Sequence, residues 1–143
     1  MIISDILRVK GSDVVTISPD ATVMSLIGML SDHRVGALVV SPDGITVHGI
    51  VSERDVVRAL AARGTEVLTE TVGQICTHEV VTVPPTARVA DLMQTMTQGR
   101  FRHVPVVVEG RLEGIVSIGD VVKSSISELE SERQALSHYI ESG

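Results

Sequence analysis

The sequence predicts an α+β fold made of two copies of a β-α-β-β-α unit, followed by a C-terminal helix. Three observations lead there. The chain repeats itself once, both copies alternate short β-branched runs with apolar stripes of helical period, and aromatic residues are almost absent.

The repeat comes first, because a missed repeat misreads the whole chain. At an offset of 66, Val14, Val15, Thr16, Pro19, Ala21 and Val23 recur as Val80, Val81, Thr82, Pro85, Ala87 and Val89. The alignment continues through Arg34/Arg100 and Val40/Val106 to Gly44/Gly110. One residue is then lost, and Gly49-Ile50-Val51-Ser52 lies over Gly114-Ile115-Val116-Ser117. Asp55-Val56-Val57 continues over Asp120-Val121-Val122.

Each copy opens with a short β run, Val14 to Ile17 or Val80 to Val83, that stops at a proline. Asp20 and Thr86 stand where a helix N-cap is wanted, since their side-chain oxygens can accept from an otherwise unpaired N–H. Val23, Leu26, Ile27 and Leu30 then follow i, i+3, i+4, i+7 spacing, as do Val89, Leu92, Met93 and Met96. Such spacing places one apolar stripe on each helix, and Gly99 is a stop for the second. Two strands come next: Ala37 to Val40 and Thr46 to Val51 around a Ser41-Pro42-Asp43-Gly44 turn, or Val104 to Val108 and Leu112 to Val116 around Glu109-Gly110. A second helix begins near Glu53 and near Ile118. The organisation expected is repeat 1 over 1–63, a linker over 64–74 with a helical turn around Thr71 to Cys76, repeat 2 over 75–126 and a helical extension over 127–143.

With Phe101 and Tyr139 as its only aromatics, the chain must build an aliphatic core. Its 143 residues suffice for one compact domain or two very small ones. Neither unit is comfortable alone at this size, so the copies should pack face to face and leave a cleft where a ligand would sit. A single cysteine, Cys76, excludes an intramolecular disulfide and a cysteine metal cluster, and reads as a small core residue. The remaining histidines, His33, His48, His78 and His138, lack metal-ligand spacing. A net charge of −6 without a basic cluster argues against nucleic acid, and no apolar run is long enough for a membrane. No signal peptide is apparent, so the expected setting is the cytoplasm. Neither a Walker A loop nor Gly-x-Gly-x-x-Gly is present.

The chemistry concentrates in Gly49-Ile50-Val51-Ser52-Glu53-Arg54-Asp55 and Gly114-Ile115-Val116-Ser117-Ile118-Gly119-Asp120. By one interpretation Ser-x-x-Asp is a capping box: the serine caps a helix and the aspartate reaches back. By the other, a helix N-terminus is a ready anion site. The serine can donate to phosphate, the carboxylate can accept a ribose diol, and the preceding glycine permits close backbone approach. Taken alone, the residues favour the cap and leave the anion site open.

The duplicated Gly-hydrophobic-x-Ser-x-x-Asp, the Val-Thr-Ile/Val-x-Pro openings and Phe101-Arg102-His103-Val104-Pro105 resemble the CBS domain family, from about Ile2 to Lys123. The resemblance implies a pseudo-twofold pair of CBS repeats with two clefts for adenosyl ligands. AMP comes first, then ATP or NAD(H), with S-adenosylmethionine also in range. It places Ser52 and Ser117 at phosphate, Asp55 and Asp120 at ribose, and Thr16 and Thr82 beside the base. Backbone near Ala37 and Val104 would line the adenine pocket. Arg54, Arg102 and His103 are the basic candidates for phosphate. No cofactor is required and no catalysis is expected. Copy one departs from the pattern in having Val39 where copy two has Pro105, and copy two has Gly119 where copy one has Arg54. The clefts should therefore be unequal.

After the repeats, Val122, Ile126, Leu129, Arg133, Leu136 and Ile140 fall at alternating spacings of four and three. This seam suits a helix–helix contact, and with the disc-like dimers of CBS pairs it implies a homodimer. The function expected is an adenine-nucleotide sensor that signals through a partner protein. A structural interaction module without ligand is the alternative, and an enzyme acting on a nucleotide ranks last.

Overall fold

The computed structural model describes residues 1–142. Helix α1 (Ile3–Lys10) leads into β1 (Thr16–Ile17), α2 (Val23–His33), β2 (Ala37–Val40), β3 (Gly49–Ser52) and α3 (Glu53–Arg63). A 3-10 turn (Gly64–Thr69) and the short α4 (Val72–Ile75) bridge to α5 (Val89–Gly99), β4 (His103–Val108), β5 (Arg111–Ser117) and α6 (Ile118–Ser142). In copy one β1 runs parallel to β2, with Ile17 opposite Val40, and β2 is antiparallel to β3. Copy two repeats the register at the same offset: Val83 bridges Val106 in parallel, and β4 is antiparallel to β5. Its opening run of Val80 to Val83 shrinks to that one bridge.

Several local expectations shift. Helix α2 is capped by Thr22, whose Oγ1 accepts from Ser25 N at 3.1 Å, and not by Asp20. The residues before it are held in a turn, with Ala21 N–H donating to Ser18 C=O. Helix α5 likewise starts after Arg88 instead of Thr86. Both helices end on a left-handed arginine, Arg34 (φ 54) and Arg100 (φ 57). Gly99 keeps its place for another reason, because a Cβ there would strike the Phe101 ring at 2.3 Å. The expected strand from Thr46 begins only at Gly49. Asp43 claims the intervening chain, accepting from Ile45 N at 2.9 Å and Thr46 N at 2.8 Å. Those backbone donors hold its carboxyl down at about 2.

The aliphatic composition gives two cores. The first holds Ile17, Val23, Leu26, Leu38, Val40 and Val51. The second holds Val89, Leu92, Met96, Val104, Val106 and Val116. Each core also takes a piece of chain from beyond its own repeat motif. Ile3 and Ile6 of α1 are buried in the second core, while Val67 and Val72 of the connection are buried in the first. These exchanges tie the copies together more firmly than surface contact would. Cys76 packs against the first core as a free thiol, its ionisation pushed up by burial and by the charge of Asp55.

The connection also explains a motif glycine. Ile50 and Thr77 exchange backbone hydrogen bonds at 3.0 and 2.9 Å, which brings Thr77 against β3. A Cβ on Gly49 would lie 2.7 Å from Thr77 O. The close approach expected at this glycine is therefore made by the chain itself. At Gly114 the obstacle is the Leu7 side chain, which can rotate away. Gly49→Ala should cost about 2 kcal/mol and Gly114→Ala less than about 1 kcal/mol, measured by urea unfolding.

Candidate functional site

The two Ser-x-x-Asp boxes stand at equivalent places. Ala37 pairs with Ser52 and His103 with Ser117, so each serine ends the last strand of its copy and opens a helix. The first helical N–H of each is taken across the sheet, Glu53 N by Gly36 O at 3.0 Å and Ile118 N by Arg102 O at 2.7 Å. Both boxes are real caps. Asp55 N donates to Ser52 Oγ at 3.3 Å, and Ser52 N to Asp55 Oδ2 at 2.8 Å. The corresponding bonds of Ser117 and Asp120 are 3.1 and 2.9 Å. Capping does not exhaust the first carboxylate, however. Ser52 N and Oγ both use Oδ2, and among the described residues Oδ1 of Asp55 takes no protein hydrogen bond.

A cavity of about 690 Å³ lies between the copies and receives both helix starts, Ser52 to Asp55 and Ser117 to Gly119. That volume falls in the range of small-molecule sites. Ile50, Val80 and Val81 give it an apolar side, and Ala37 reaches it from β2. Its most distinctive feature is charge. Arg54, Arg58, Arg100 and Arg102 all line it, against Glu53, Asp55 and Glu79. Among the described residues none of the four arginines lies in an ion pair. In a chain of net charge −6 this is a local concentration of guanidinium groups suited to phosphate.

The sequence-derived candidates divide accordingly. Ala37, Ser52, Arg54, Asp55, Arg102, His103 and Ser117 line this cavity. Thr16, Thr82, Val104 and Asp120 lie outside its lining, Val104 as a fully buried core residue. Burial, together with the charges of Lys10 and Arg102, lowers the pKa of His103 and favours its neutral ring. Arg58 and Arg100 were not anticipated. Arg58 sits one turn beyond Arg54, so helical period could have found it; Arg100 enters through the left-handed end of α5, which carries little sequence signal.

Asp120 has a different environment from Asp55. Lys10 Nζ donates to Asp120 Oδ2 at 2.6 Å and to Ile115 O at 2.8 Å. Burial pushes the Asp120 carboxyl up, but bonds from Lys10 and Ser117 outweigh it and leave the pKa below 3.8. Among the described residues no group of three or more histidine, cysteine or acidic side chains could hold a metal ion, and no helix is long and apolar enough to cross a membrane.

The family model for the CBS domain matches residues 3–62 and 72–127. A mitochondrial CBS domain-containing protein of Arabidopsis thaliana is 38% identical over 99% of this chain and 72% of its own. The crystal structure of a CBS-domain containing protein from Agrobacterium tumefaciens superposes with a TM-score of 0.83 at 46% identity, covering 87% of this chain and 99% of that one. A CBS domain protein from Pyrobaculum aerophilum complexed with AMP gives a TM-score of 0.73 at 30% identity, over 84% of this chain and 89% of that one.

Proposed function

Because the chain belongs to the CBS domain family, we propose that it is a regulatory module that binds an adenine nucleotide between its copies and passes the bound state to a partner protein. The observation that carries this is the convergence of Asp55 and four unpaired arginines on one cavity of nucleotide size. In this arrangement the adenine lies against Val80 and Val81, beside the Ala37 backbone. The free oxygen of Asp55 accepts the ribose diol. Arg54 and Arg102 hold phosphate, with Ser52 and Ser117 donating hydroxyls at the two helix starts.

AMP is the first ligand to test, supported by the AMP complex of the Pyrobaculum relative, followed by ATP and NAD(H). Calorimetric titration should give one AMP per chain with a Kd below millimolar; absence of heat with every one of these ligands would remove the reading. The module is proposed to be non-catalytic, so chromatography should recover the nucleotide unchanged after hours of incubation. Its proposed setting is the cytoplasm, with neither nucleic acid nor membrane as a partner.

Helix α6 carries the proposed homodimer contact. Ile126, Leu129, Leu136 and Ile140 are 52 to 67% exposed, and residues 127–142 are solvated on every side. A helical stretch of that length is marginal in water without packing, and a second copy would cover the seam. Leu129→Glu should halve the mass measured by light scattering; an unchanged mass, or a parent that is already monomeric, would reject the dimer through α6.

A further inference from the structure

The two Ser-Asp boxes are related by the repeat, yet their immediate neighbours differ in kind. At the offset of 66, Cys76 beside Asp55 corresponds to Lys10 beside Asp120. We propose that Lys10 makes this pair single-sited, its ammonium closing the second box to a ribose and assigning nucleotide binding to the first. The proposal rests on the nucleotide reading above and concerns which of the two equivalent boxes is used.

The backbone around the boxes shows how the difference arises. In copy one, Thr77 and Ile50 exchange both backbone hydrogen bonds, and the adjoining Cys76 adds no charge. In copy two the equivalent carbonyl, Ile115 O, accepts instead from Lys10 Nζ at 2.8 Å. The same ammonium lies 2.6 Å from Asp120 Oδ2, with the two side chains 35% and 25% exposed. A neutral ribose hydroxyl would have to displace a charge-assisted donor that is tethered to the protein. It would also leave the ammonium to find new partners. Among the described residues Asp55 presents no such competitor, since its donors are Ser52 N and Oγ.

The phosphate side of the second box is depleted as well. The helix that opens at the second box carries Gly119 where the first carries Arg54. A ligand entering there would lack the guanidinium that Arg54 offers in the first cleft. Unplugging the second box should consequently admit a nucleoside more readily than a nucleotide.

Lys10→Met keeps most of the aliphatic stem and removes the charge. The parent, Lys10→Met and Asp120→Asn are titrated with AMP and with adenosine, and folding is checked by circular dichroism. The parent is expected to bind one AMP per chain, and Asp120→Asn to match it within about twofold. Lys10→Met should keep that AMP site and raise adenosine stoichiometry from one to two per chain. Two AMP per parent chain, loss of AMP binding in Asp120→Asn, or a folded Lys10→Met that still takes a single adenosine would each overturn the proposal. A parent that binds neither probe would instead defeat the nucleotide reading of the first cleft. In that event one adenosine bound by Lys10→Met still supports the closure, and none rejects it. Should Lys10→Met fail to fold, the Asp120→Asn comparison decides: unchanged AMP binding supports the closure, weakened binding overturns it.

Discussion

Asp55→Ala is expected to weaken AMP binding by about a hundredfold. The carboxylate would accept two hydroxyls, and hydrogen bonds to a charged group contribute about 1.5–3 kcal/mol each. Removing it also loses the aspartate half of the α3 capping box, while Ser52 keeps the backbone N–H of residue 55; the cost is about 1 kcal/mol of stability, so thermal unfolding must be followed beside affinity. Asp55→Asn separates the roles. It keeps an acceptor for Ser52 and loses the charge, so stability should hold better than affinity. The predicted ordering is parent, Asn, then Ala in affinity, read by calorimetry. Equal affinity in all three would take Asp55 out of the binding site and leave it a capping residue.

The second large effect is on phosphate. Arg54→Ala combined with Arg102→Ala should lower AMP affinity about a hundredfold while leaving adenosine within about twofold, because only the phosphate contacts are removed. Parent AMP affinity should also fall as salt rises, since the arginines stand at the edge of solvent. If AMP and adenosine weaken together, the arginines shape the cavity and do not read the phosphate. Arg58 and Arg100 are natural second-round substitutions, with ATP as the more informative probe because additional phosphates would reach further along the arginine set.

Much of this was legible in the sequence, for a physical reason. Repetition and apolar period are local patterns, and they located both copies, the strand pairs and helices α2, α3, α5 and α6, but not α1. The capping boxes were legible too, since four consecutive residues make them. What the sequence hid depends on chain from elsewhere. The docking of α1 into the second core, and with it Lys10 onto Asp120, joins residues more than a hundred positions apart. The return of Thr77 against Gly49 is of the same type: the glycine was visible, but the strand that needs it was not. The helix start slipped to Thr22 because Asp20 is as good a capping type, and to Arg88 because that position makes no side-chain cap for residue type to reveal; the turn before each helix sets the start. His103 shows the limit of residue type as a guide. Histidine suggests a titrating cation, while its burial beside Lys10 and Arg102 favours the neutral ring.

Inequality of the clefts was visible as Arg54 against Gly119, but the cation that meets Asp120 was not. The structure adds that the acidic residue of copy two already has a cation and that, among the described residues, that of copy one has none. The account of the site therefore depends on the first cleft being where the ligand sits. A crystal structure of the protein grown with AMP tests this most directly. One nucleotide per chain is predicted between the copies, with ribose on Asp55, phosphate on Arg54 and Arg102, and the Lys10–Asp120 pair intact. A nucleotide on Asp120, or an empty first cleft at saturating AMP, would contradict it.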